Sequence, residues 1–335
     1  MAGSGSARAV GNRLLLSGNE AIALGAYEAG VRVAAGYPGT PSSEILEALA
    51  EYQGVYAEWS VNEAVAVEVA AGASLTGARA LAAMKHVGLN VASDPLLTLS
   101  YTGVGGGVVI VSADDPGIHS SQNEQDNRHY ARFAKIPMLE PADSQEAKDF
   151  VLRAFAMSER FDTPVVLRIT TRVAHSKSPV KLARARPQTP PGEPARTTDK
   201  YVMVPANARL RHELVEARLE RLRRYAEQTS LNRVIPGQKR LGLVAAGVAY
   251  QYAREAFPQA SFLKLGMTYP VPLSKVAEFA RGVRQLRVVE ELDPFLEEEI
   301  AAAGIRLARR PRRYYIGELN PERVREMISG SSKSV

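Results

Sequence analysis

The chain has 335 residues, 45% of them hydrophobic, which is enough for about two domains with apolar cores. Its net charge of +6 comes mostly from two local stretches, 208–240 and 306–313, and it contains no cysteine. Disulfides, thiolate zinc sites, iron–sulfur clusters and a cysteine nucleophile are therefore excluded from this chain. No apolar run reaches the roughly 18 residues of a membrane span. The first residues lack the apolar core of a signal peptide and indicate a flexible leader, so we expect a cytoplasmic protein without membrane association.

Strand-like and helix-like segments alternate through the first half of the chain. In chain order, the predicted strands are 30–38, 55–60, 79–85, 107–117 and 163–171. The helices between them are predicted at 40–54, 61–77, 94–103 and 144–161. Thr40 and Pro41 suit the start of the first helix, and Asp143 and Glu146 have capping-box spacing before the last. Strands separated by helices predict a parallel, doubly wound α/β sheet covered on both faces.

The second half of the chain begins with a proline-rich segment that interrupts the alternation of strands and helices. Prolines recur between 176 and 205 and predict a linker, and a charged helix is expected at about 206–228. From Arg240 a second strand–helix alternation predicts a smaller parallel α/β domain. We therefore expect three regions: a first domain at 12–178, a proline-rich linker with the charged helix at 179–235, and a second domain at 236–328.

Polar side chains follow the predicted strands of the first domain, at the edge where parallel sheets bind ligands. These strand ends lie at 36–43, 58–63, 84–90 and 113–130. The predicted rim carries the following side chains: Tyr37, Thr40, Ser42, Glu63, Lys85, His86, Asn90, Asp115, His119, Gln122, Asn123 and Arg128.

Glu63 stands out because it opens a helix that is otherwise almost wholly apolar. It follows Ser60 with the spacing of a capping box, which would satisfy the first helical turn. A carboxylate in that turn also points into the rim, so capping and ligand binding are compatible. Glu68 in the same helix is expected to be a partly buried polar residue or an interface contact, because the helix is predicted to be buried on most sides.

Three further patterns admit binding roles. The turn "YPGTPSS" lacks the lysine and the glycine spacing of a phosphate loop, although its free amides suit an anion. The histidines lack metal-ligand spacing, so no metal is assigned to this chain. Acidic residues interleave with the arginines of the charged helix, and no stacking aromatic residues accompany them, which favours a solvent- or subunit-facing helix over a nucleic-acid site.

Three long segments carry a resemblance to a known family: "GNEAIALGAYEAGVRVAAGYPGTPSSEI", "EWSVNEAVAVEVAAGASLTGARALAAMKHVGLNVASDPL" and "ADDPGIHSSQNEQDNRHYARFAKIPMLEP". They resemble the amino-terminal part of indolepyruvate ferredoxin oxidoreductase alpha subunits, within the thiamine-diphosphate-dependent 2-oxoacid:ferredoxin oxidoreductases. "VVEELDPFLEEEI" and "GELNPERV" extend the resemblance to about residue 325. It implies a pyrimidine-binding thiamine-diphosphate module followed by a transketolase C-terminal-like domain.

The resemblance also implies a reaction and site residues. The reaction is oxidative decarboxylation of a 2-oxoacid, such as the aryl pyruvate indolepyruvate, to an acyl-coenzyme A, with electrons passed to iron–sulfur clusters on partner chains. Glu63 is implied as the catalytic carboxylate that hydrogen-bonds the aminopyrimidine ring. The implied cofactor-binding residues are Glu63, Tyr37, Pro38, Gly39, Gly88 and Asn90. The implied substrate-binding residues are Thr40, Lys85, His86, Asn123 and Arg128.

One departure from the thiamine-enzyme pattern concerns the diphosphate. No Gly-Asp-Gly motif occurs in the chain, and it has no cysteines for a cluster. The chain is therefore either a fragment or the split form of a longer subunit, or another chain supplies the rest. We expect a split subunit whose partner chain, with the diphosphate-binding thiamine module, holds the diphosphate and Mg²⁺, and a cysteine-rich ferredoxin-like subunit or domain that holds iron–sulfur clusters. Two alternatives stay open: a non-redox two-subunit 2-oxoacid decarboxylase, and a non-catalytic structural subunit of such a complex.

Overall fold

A computed structural model describes residues 12–188, 190, 192–194 and 196–330. The predicted leader therefore falls almost entirely outside the described residues, as does Pro191 of the predicted linker.

Thirteen strands are formed within the described residues. They are β1 Arg13–Leu16, β2 Val33–Gly36, β3 Tyr56–Trp59, β4 Ala80–Lys85, β5 Val108–Asp114, β6 Met138–Leu139, β7 Val165–Thr170, β8 Ser178–Lys181, β9 Arg233–Ile235, β10 Gln238–Ala246, β11 Ala260–Leu265, β12 Met267–Tyr269 and β13 Gln285–Val289.

Fourteen α-helices accompany the strands over the same described residues. They are α1 Gly18–Glu28, α2 Ser43–Ala50, α3 Glu63–Leu75, α4 Gly88–Val91, α5 Ser93–Thr102, α6 Arg128–Ala134, α7 Ser144–Phe161, α8 Thr171–His175, α9 Thr198–Tyr201, α10 Pro205–Gln228, α11 Gly247–Ala256, α12 Leu273–Arg281, α13 Phe295–Ala302 and α14 Pro321–Ser329. A short 3₁₀ helix covers Arg312–Tyr314.

The largest sheet has seven strands in the order β12-β6-β7-β5-β4-β2-β3. All neighbours from β6 to β3 are parallel, and the central strands β4, β5 and β7 are buried because helices cover both faces. Helices α1, α2 and α7 pack on one face, and α3 and α5 pack on the other. The predicted doubly wound α/β fold is therefore confirmed. Since these strands are parallel, the residues that follow β2, β3, β4 and β5 share one edge of the sheet.

A smaller four-stranded sheet has the order β13-β10-β11-β9. Strands β10, β11 and β13 are parallel, whereas the edge strand β9 runs antiparallel to β11, so the prediction of an all-parallel second sheet is wrong at that edge. Only Gly266 separates β11 from β12, and β12 leaves the small sheet to pair antiparallel with β6. The C-terminal half of the chain thus completes the large sheet, which no local pattern in the sequence indicates.

Several local predictions are corrected by the structure. Helix α2 begins at Ser43 instead of Thr40, because residues 39–42 form a turn in which the Ser42 amide donates to the Gly39 carbonyl over 2.8 Å. Asp143 caps α7 by accepting from the Glu146 amide, as predicted, but the Glu146 carboxylate accepts from the Ala142 amide instead of returning to Asp143. Helix α6 and the antiparallel pair β1–β8 were not predicted.

Helix α3 is less buried than its composition predicts. Only Ala66, Val67, Ala70 and Ser74 are buried, along the face that packs on the sheet. Glu68 is exposed, so the first of its two expected roles, a partly buried polar residue, is wrong, and an interface contact stays a prediction.

Candidate active site

Glu63 is the first residue of α3, but it does not form the predicted capping box with Ser60. Asn62 is the N-cap, and its side-chain oxygen accepts from the Val65 amide over 2.9 Å. The Ser60 hydroxyl lies 3.2 Å from a carboxylate oxygen of Glu58 instead. The capping interpretation of Glu63 is therefore wrong, and its half-buried carboxylate is left free for another partner at the rim of the sheet.

Gly88, at the start of α4, lies directly against Glu63. A Cβ atom built at Gly88 would lie 2.6 Å from the Cγ atom and 2.8 Å from the carboxyl carbon of Glu63. The glutamate side chain therefore occupies the space that any other residue at 88 would fill. This close approach joins the loop after β4 to the start of α3, two segments that the sequence places 25 positions apart.

The turn after β2 meets the end of β4 on the same edge. A Cβ atom at Gly39 would lie 3.1 Å from the Cβ atom of Lys85. The Lys85 Nζ atom donates to the Ser120 carbonyl over 2.6 Å, and the Ser120 hydroxyl lies 3.4 Å from the Thr40 carbonyl. Thr40 itself is exposed, as are Tyr37 and Pro38 before it. The structure thus brings Gly39, Thr40 and Lys85 together, as the sequence predicted.

His86, Asn90 and Asn123 belong to an amide-rich network beside these residues. The His86 ring is fully buried, with Nε2 3.1 Å from the side-chain oxygen of Asn123. The His86 carbonyl accepts from the side-chain amides of Gln125 and Asn127. The exposed side-chain amide of Asn90 both donates to and accepts from the side-chain amide of Gln125. The Asn90 side-chain oxygen also accepts from the Tyr130 hydroxyl over 2.6 Å. His86 therefore organises the loop below the surface, whereas Asn90 faces the rim.

Arg128 lies apart from the other predicted substrate residues. It is 1% exposed, and its guanidinium donates to Asp126, to Glu290 at 2.6 Å and to the carbonyls of Glu291 and Asp293. Burial lowers the pKa of Arg128, but the carboxylates of Asp126 and Glu290 raise this pKa well above its ordinary value. This side chain links α6 to the segment that follows β13 and is not exposed at the rim.

A second buried arginine extends this ionic network, which was not predicted from the sequence. Arg168 donates to Asp114 and to Glu140, each over 2.7 Å. Burial raises the pKa of Asp114, while the pKa of Asp126 is held low, against the effect of burial, by Arg128 and Arg168. The available signal was a charged residue inside each of the buried strands "VVIVSAD" and "VVLRIT", since isolated charges are rarely buried without a partner.

A cleft of ≈ 620 Å³ opens between this edge of the large sheet and the C-terminal half of the chain. Asn90 and Tyr130 line one side, and Asp293 and Tyr315 line the other. Within the described ranges, no group of three or more His, Asp or Glu side chains is placed to hold a metal ion. No helix in the part of the chain described by the structure is both long and apolar enough to cross a membrane.

Comparison with known proteins decides the family. Residues 24–220 match the profile of the family described as pyruvate flavodoxin/ferredoxin oxidoreductase, thiamine diphosphate-binding. The chain belongs to this family. The matched region contains Glu63, Gly88, the 37–42 turn and the loop after β5, whereas Asp293 and Tyr315 on the other side of the cleft lie outside it.

Curated relatives of the family are similar over most of this chain. The indolepyruvate oxidoreductase subunit IorA of Methanothermobacter marburgensis is 48% identical over 88% of this chain and 49% of its own length. The subunit of the same name from Archaeoglobus fulgidus is 44% identical over 89% of this chain and 50% of its own length. The chain thus spans about half the length of these relatives. The resemblance to the indolepyruvate ferredoxin oxidoreductase alpha subunit is confirmed.

More distant members share the fold. The 2-oxoglutarate synthase subunit KorA of Methanothermobacter thermautotrophicus is 26% identical over 87% of this chain and 91% of its own length. A solved 2-oxoglutarate:ferredoxin oxidoreductase from Magnetococcus marinus, with 2-oxoglutarate, coenzyme A and succinyl-CoA bound, superposes with a TM-score of 0.78 at 17% identity. That superposition covers 95% of this chain and 65% of the other.

Proposed function

We propose that this chain forms the pyrimidine-side half of a thiamine-diphosphate site in a 2-oxoacid:ferredoxin oxidoreductase whose substrate is an aryl 2-oxoacid such as indolepyruvate. The observation that carries the proposal is the carboxylate of Glu63, which does not cap its own helix and is held against Gly88 at the rim of a parallel sheet. Identities of 44–48% to indolepyruvate oxidoreductase subunits support the substrate class. The family relationship supports thiamine diphosphate as the cofactor.

The residues present fit the aminopyrimidine end of this cofactor and not its diphosphate end. Glu63 offers a carboxylate able to share a proton with a ring nitrogen, and Gly88 has no side chain to obstruct the approach. Tyr37, Pro38, Gly39 and Asn90 complete the proposed cofactor side. Bound thiamine diphosphate supplies the carbon nucleophile and the electron sink for decarboxylation. The chain has no Gly-Asp-Gly sequence, so a partner chain with the diphosphate-binding module is proposed to hold the diphosphate and Mg²⁺.

The substrate side is proposed to be Thr40 and Lys85, with His86 and Asn123 ordering the loop beside them. Lys85 places a positive charge at the rim, where it can attract the carboxylate of a 2-oxoacid. Arg128 is proposed to act only indirectly, by fixing the two halves of the chain, since its donors are used by Asp126, Glu290 and backbone carbonyls. Coenzyme A is the proposed acyl acceptor.

The reaction is tested by substituting Glu63 in the complex purified with its partner chains. Glu63→Gln keeps the size of the side chain but removes the carboxylate, and we expect kcat to fall by about 10²–10⁴-fold because proton transfer is lost. The matched control is Glu68→Gln, an exposed glutamate on the same helix, which should leave kcat unchanged. Near-normal turnover of Glu63→Gln would contradict the proposed role.

The partners are tested independently of turnover. Calorimetry on the isolated chain should show weak or no binding of thiamine diphosphate with Mg²⁺, because the chain lacks the Gly-Asp-Gly motif that binds the diphosphate. A co-purifying cysteine-rich partner with iron–sulfur absorbance would favour the oxidoreductase over a non-redox two-subunit decarboxylase. Tight binding by the isolated chain, or a complex without such absorbance, would count against this reading.

Two further points stay predictions. We propose the division of the chain at 178/179 and 235/236, supported by the separate four-stranded sheet but qualified by the transfer of β12 to the large sheet. The cytoplasmic location is likewise a prediction.

A further inference from the structure

The segment 115–124, which follows β5, lies across the proposed substrate side of the site. Ser120 is its point of contact, because the Ser120 carbonyl accepts from Lys85 at 2.6 Å and its hydroxyl lies 3.4 Å from the Thr40 carbonyl. The turn at its tip places Gly117 at a φ of 89° and Ile118 at 54°. A branched residue rarely adopts that left-handed conformation, so surrounding contacts must hold the turn in place.

One set of contacts comes from the large sheet itself. The Asp115 carboxylate accepts from the Ser120 amide at 2.9 Å, from the Ser121 hydroxyl at 2.5 Å and from the Thr171 hydroxyl at 2.6 Å. Burial raises the pKa of Asp115, but these hydrogen bonds hold this pKa below its ordinary value. Asp115 therefore fixes the middle of the segment to the end of β7.

The second set of contacts comes from the far C-terminal part of the chain. The Glu124 carboxylate accepts from the Gly117 amide at 2.6 Å and from the Gly317 amide at 2.8 Å. The neighbouring Glu318 accepts from the Arg172 Nε atom at 2.7 Å and lies 3.2 Å from the His119 Nε2 atom. Gly317 thus bonds Glu124 at the end of the segment, and Glu318 contacts His119 near its tip.

The ion pair between Arg172 and Glu318 is poorly explained by folding stability alone. The Arg172 and Glu318 side chains are 50% and 27% exposed, and exposed ion pairs typically contribute only about 0–1 kcal/mol. The hydrogen bonds of Asp115, Glu124 and Glu318 converge on one surface segment that touches Lys85 and Thr40. Loops that are held in place over a rigid sheet are where proteins most often position functional groups.

We propose that Glu124 and Glu318 are positioning residues for the 2-oxoacid: they hold segment 115–124 so that Ser120 directs the Lys85 ammonium toward the substrate carboxylate. The inference rests on the proposed function and deepens it, because it gives the C-terminal part of the chain a role in substrate binding. Among the described residues, no hydrogen bond or ion pair joins either glutamate to Thr40 or Lys85, so the effect passes through Ser120.

The test uses Glu124→Ala and Glu318→Ala in the complex purified with its partner chains, with indolepyruvate as the substrate. Loosening Ser120 should raise KM for indolepyruvate about tenfold, with kcat and KM for coenzyme A each within about twofold of wild type. Glu124→Gln keeps one acceptor oxygen and should recover much of the affinity. Glu278→Ala, which removes an exposed glutamate of α12, is the matched control and should change neither constant.

Hydrogen exchange on the same proteins provides a readout that does not depend on turnover. Faster amide exchange within 117–121 in both alanine variants, together with the raised KM for indolepyruvate, would support the inference. Unchanged exchange would overturn it, and so would faster exchange with an unchanged KM. A wild-type complex that turns over no aryl 2-oxoacid would contradict the proposed function instead, and exchange would then still decide whether the two glutamates order the segment.

Discussion

The side chain of Glu63 fills the space that a methyl group on Gly88 would occupy, with its Cγ atom 2.6 Å from the ideal Cβ position. Glu63 begins α3 and Gly88 begins α4, so this contact fixes the carboxylate relative to the loop after β4. Glycine is therefore required at position 88 because the Glu63 side chain occupies the space beside it. The backbone there does not demand it, since Gly88 is not among the residues with positive φ.

Gly88→Ala should displace the Glu63 carboxylate and lower kcat of the assembled complex by about 10²-fold, because small misplacements of a catalytic group carry that cost. Gly72→Ala is the matched control in the last turn of α3, where an added Cβ meets no atom outside the helix backbone within 4 Å. That variant should keep its activity, and its free energy of unfolding should rise by about 0.5–1 kcal/mol. Steady-state kinetics and chemical denaturation measure the two effects. Full activity in Gly88→Ala would show that the contact does not position Glu63.

Asn62→Ala should lower the free energy of unfolding by about 1 kcal/mol, since it removes the hydrogen bond to the Val65 amide that caps α3. Ser60→Ala should have a smaller effect, because Ser60 does not cap the helix. Urea denaturation of the isolated chain measures both. A larger loss in Ser60→Ala than in Asn62→Ala would restore the capping box that the sequence predicted.

Arg128→Met should cost about 3–5 kcal/mol of unfolding free energy, because it leaves the buried carboxylates of Asp126 and Glu290 without their partner. Arg223→Met removes an exposed arginine that pairs with Glu220 on α10 and should cost less than about 1 kcal/mol. Denaturation midpoints for both variants, at equal chain concentration, provide the comparison. Equal losses would mean that the buried network contributes no more than a surface pair.

Glu291 should make the chain less stable as the pH rises from about 4.5 to about 7. Burial raises its pKa from 4.5 to about 7, although the Leu319 amide and Arg168 oppose the shift. Between these two values the folded chain binds more protons at this group than the unfolded chain does, so stability falls with increasing pH and levels off above the folded pKa. Carboxylates with lowered pKa values, such as Asp126 and Asp162, act in the opposite direction at more acidic pH.

Glu291→Gln keeps an acceptor for the Leu319 amide and removes the charge, so its free energy of unfolding should vary less between pH 4.5 and 7 than that of wild type. At pH 8 the variant should be more stable than wild type. Thermal denaturation across this pH range measures the slope, and an unchanged slope would contradict the titration of Glu291 in this window.

The sequence by itself determined the doubly wound sheet and the edge that carries the site. Alternation of apolar strands with helices requires a parallel sheet, and parallel strands place the residues that follow them at one edge. For this reason Gly39, Thr40 and Lys85 were correctly grouped from local patterns, and Glu63 was recognised as the first-turn carboxylate of an apolar helix.

Only the tertiary structure decided which groups touch. Asn62 rather than Ser60 caps α3, Gly88 rather than a neighbouring residue meets Glu63, and Arg128 pairs with Glu290 instead of facing the rim. Glu124 reaches Gly317 across 193 positions of the chain. The Asn62 cap is a local choice between two side chains, whereas the contacts of Gly88, Arg128 and Glu124 join segments that lie far apart in the chain. Periodicity and spacing report local conformation, so they carry no record of these partners.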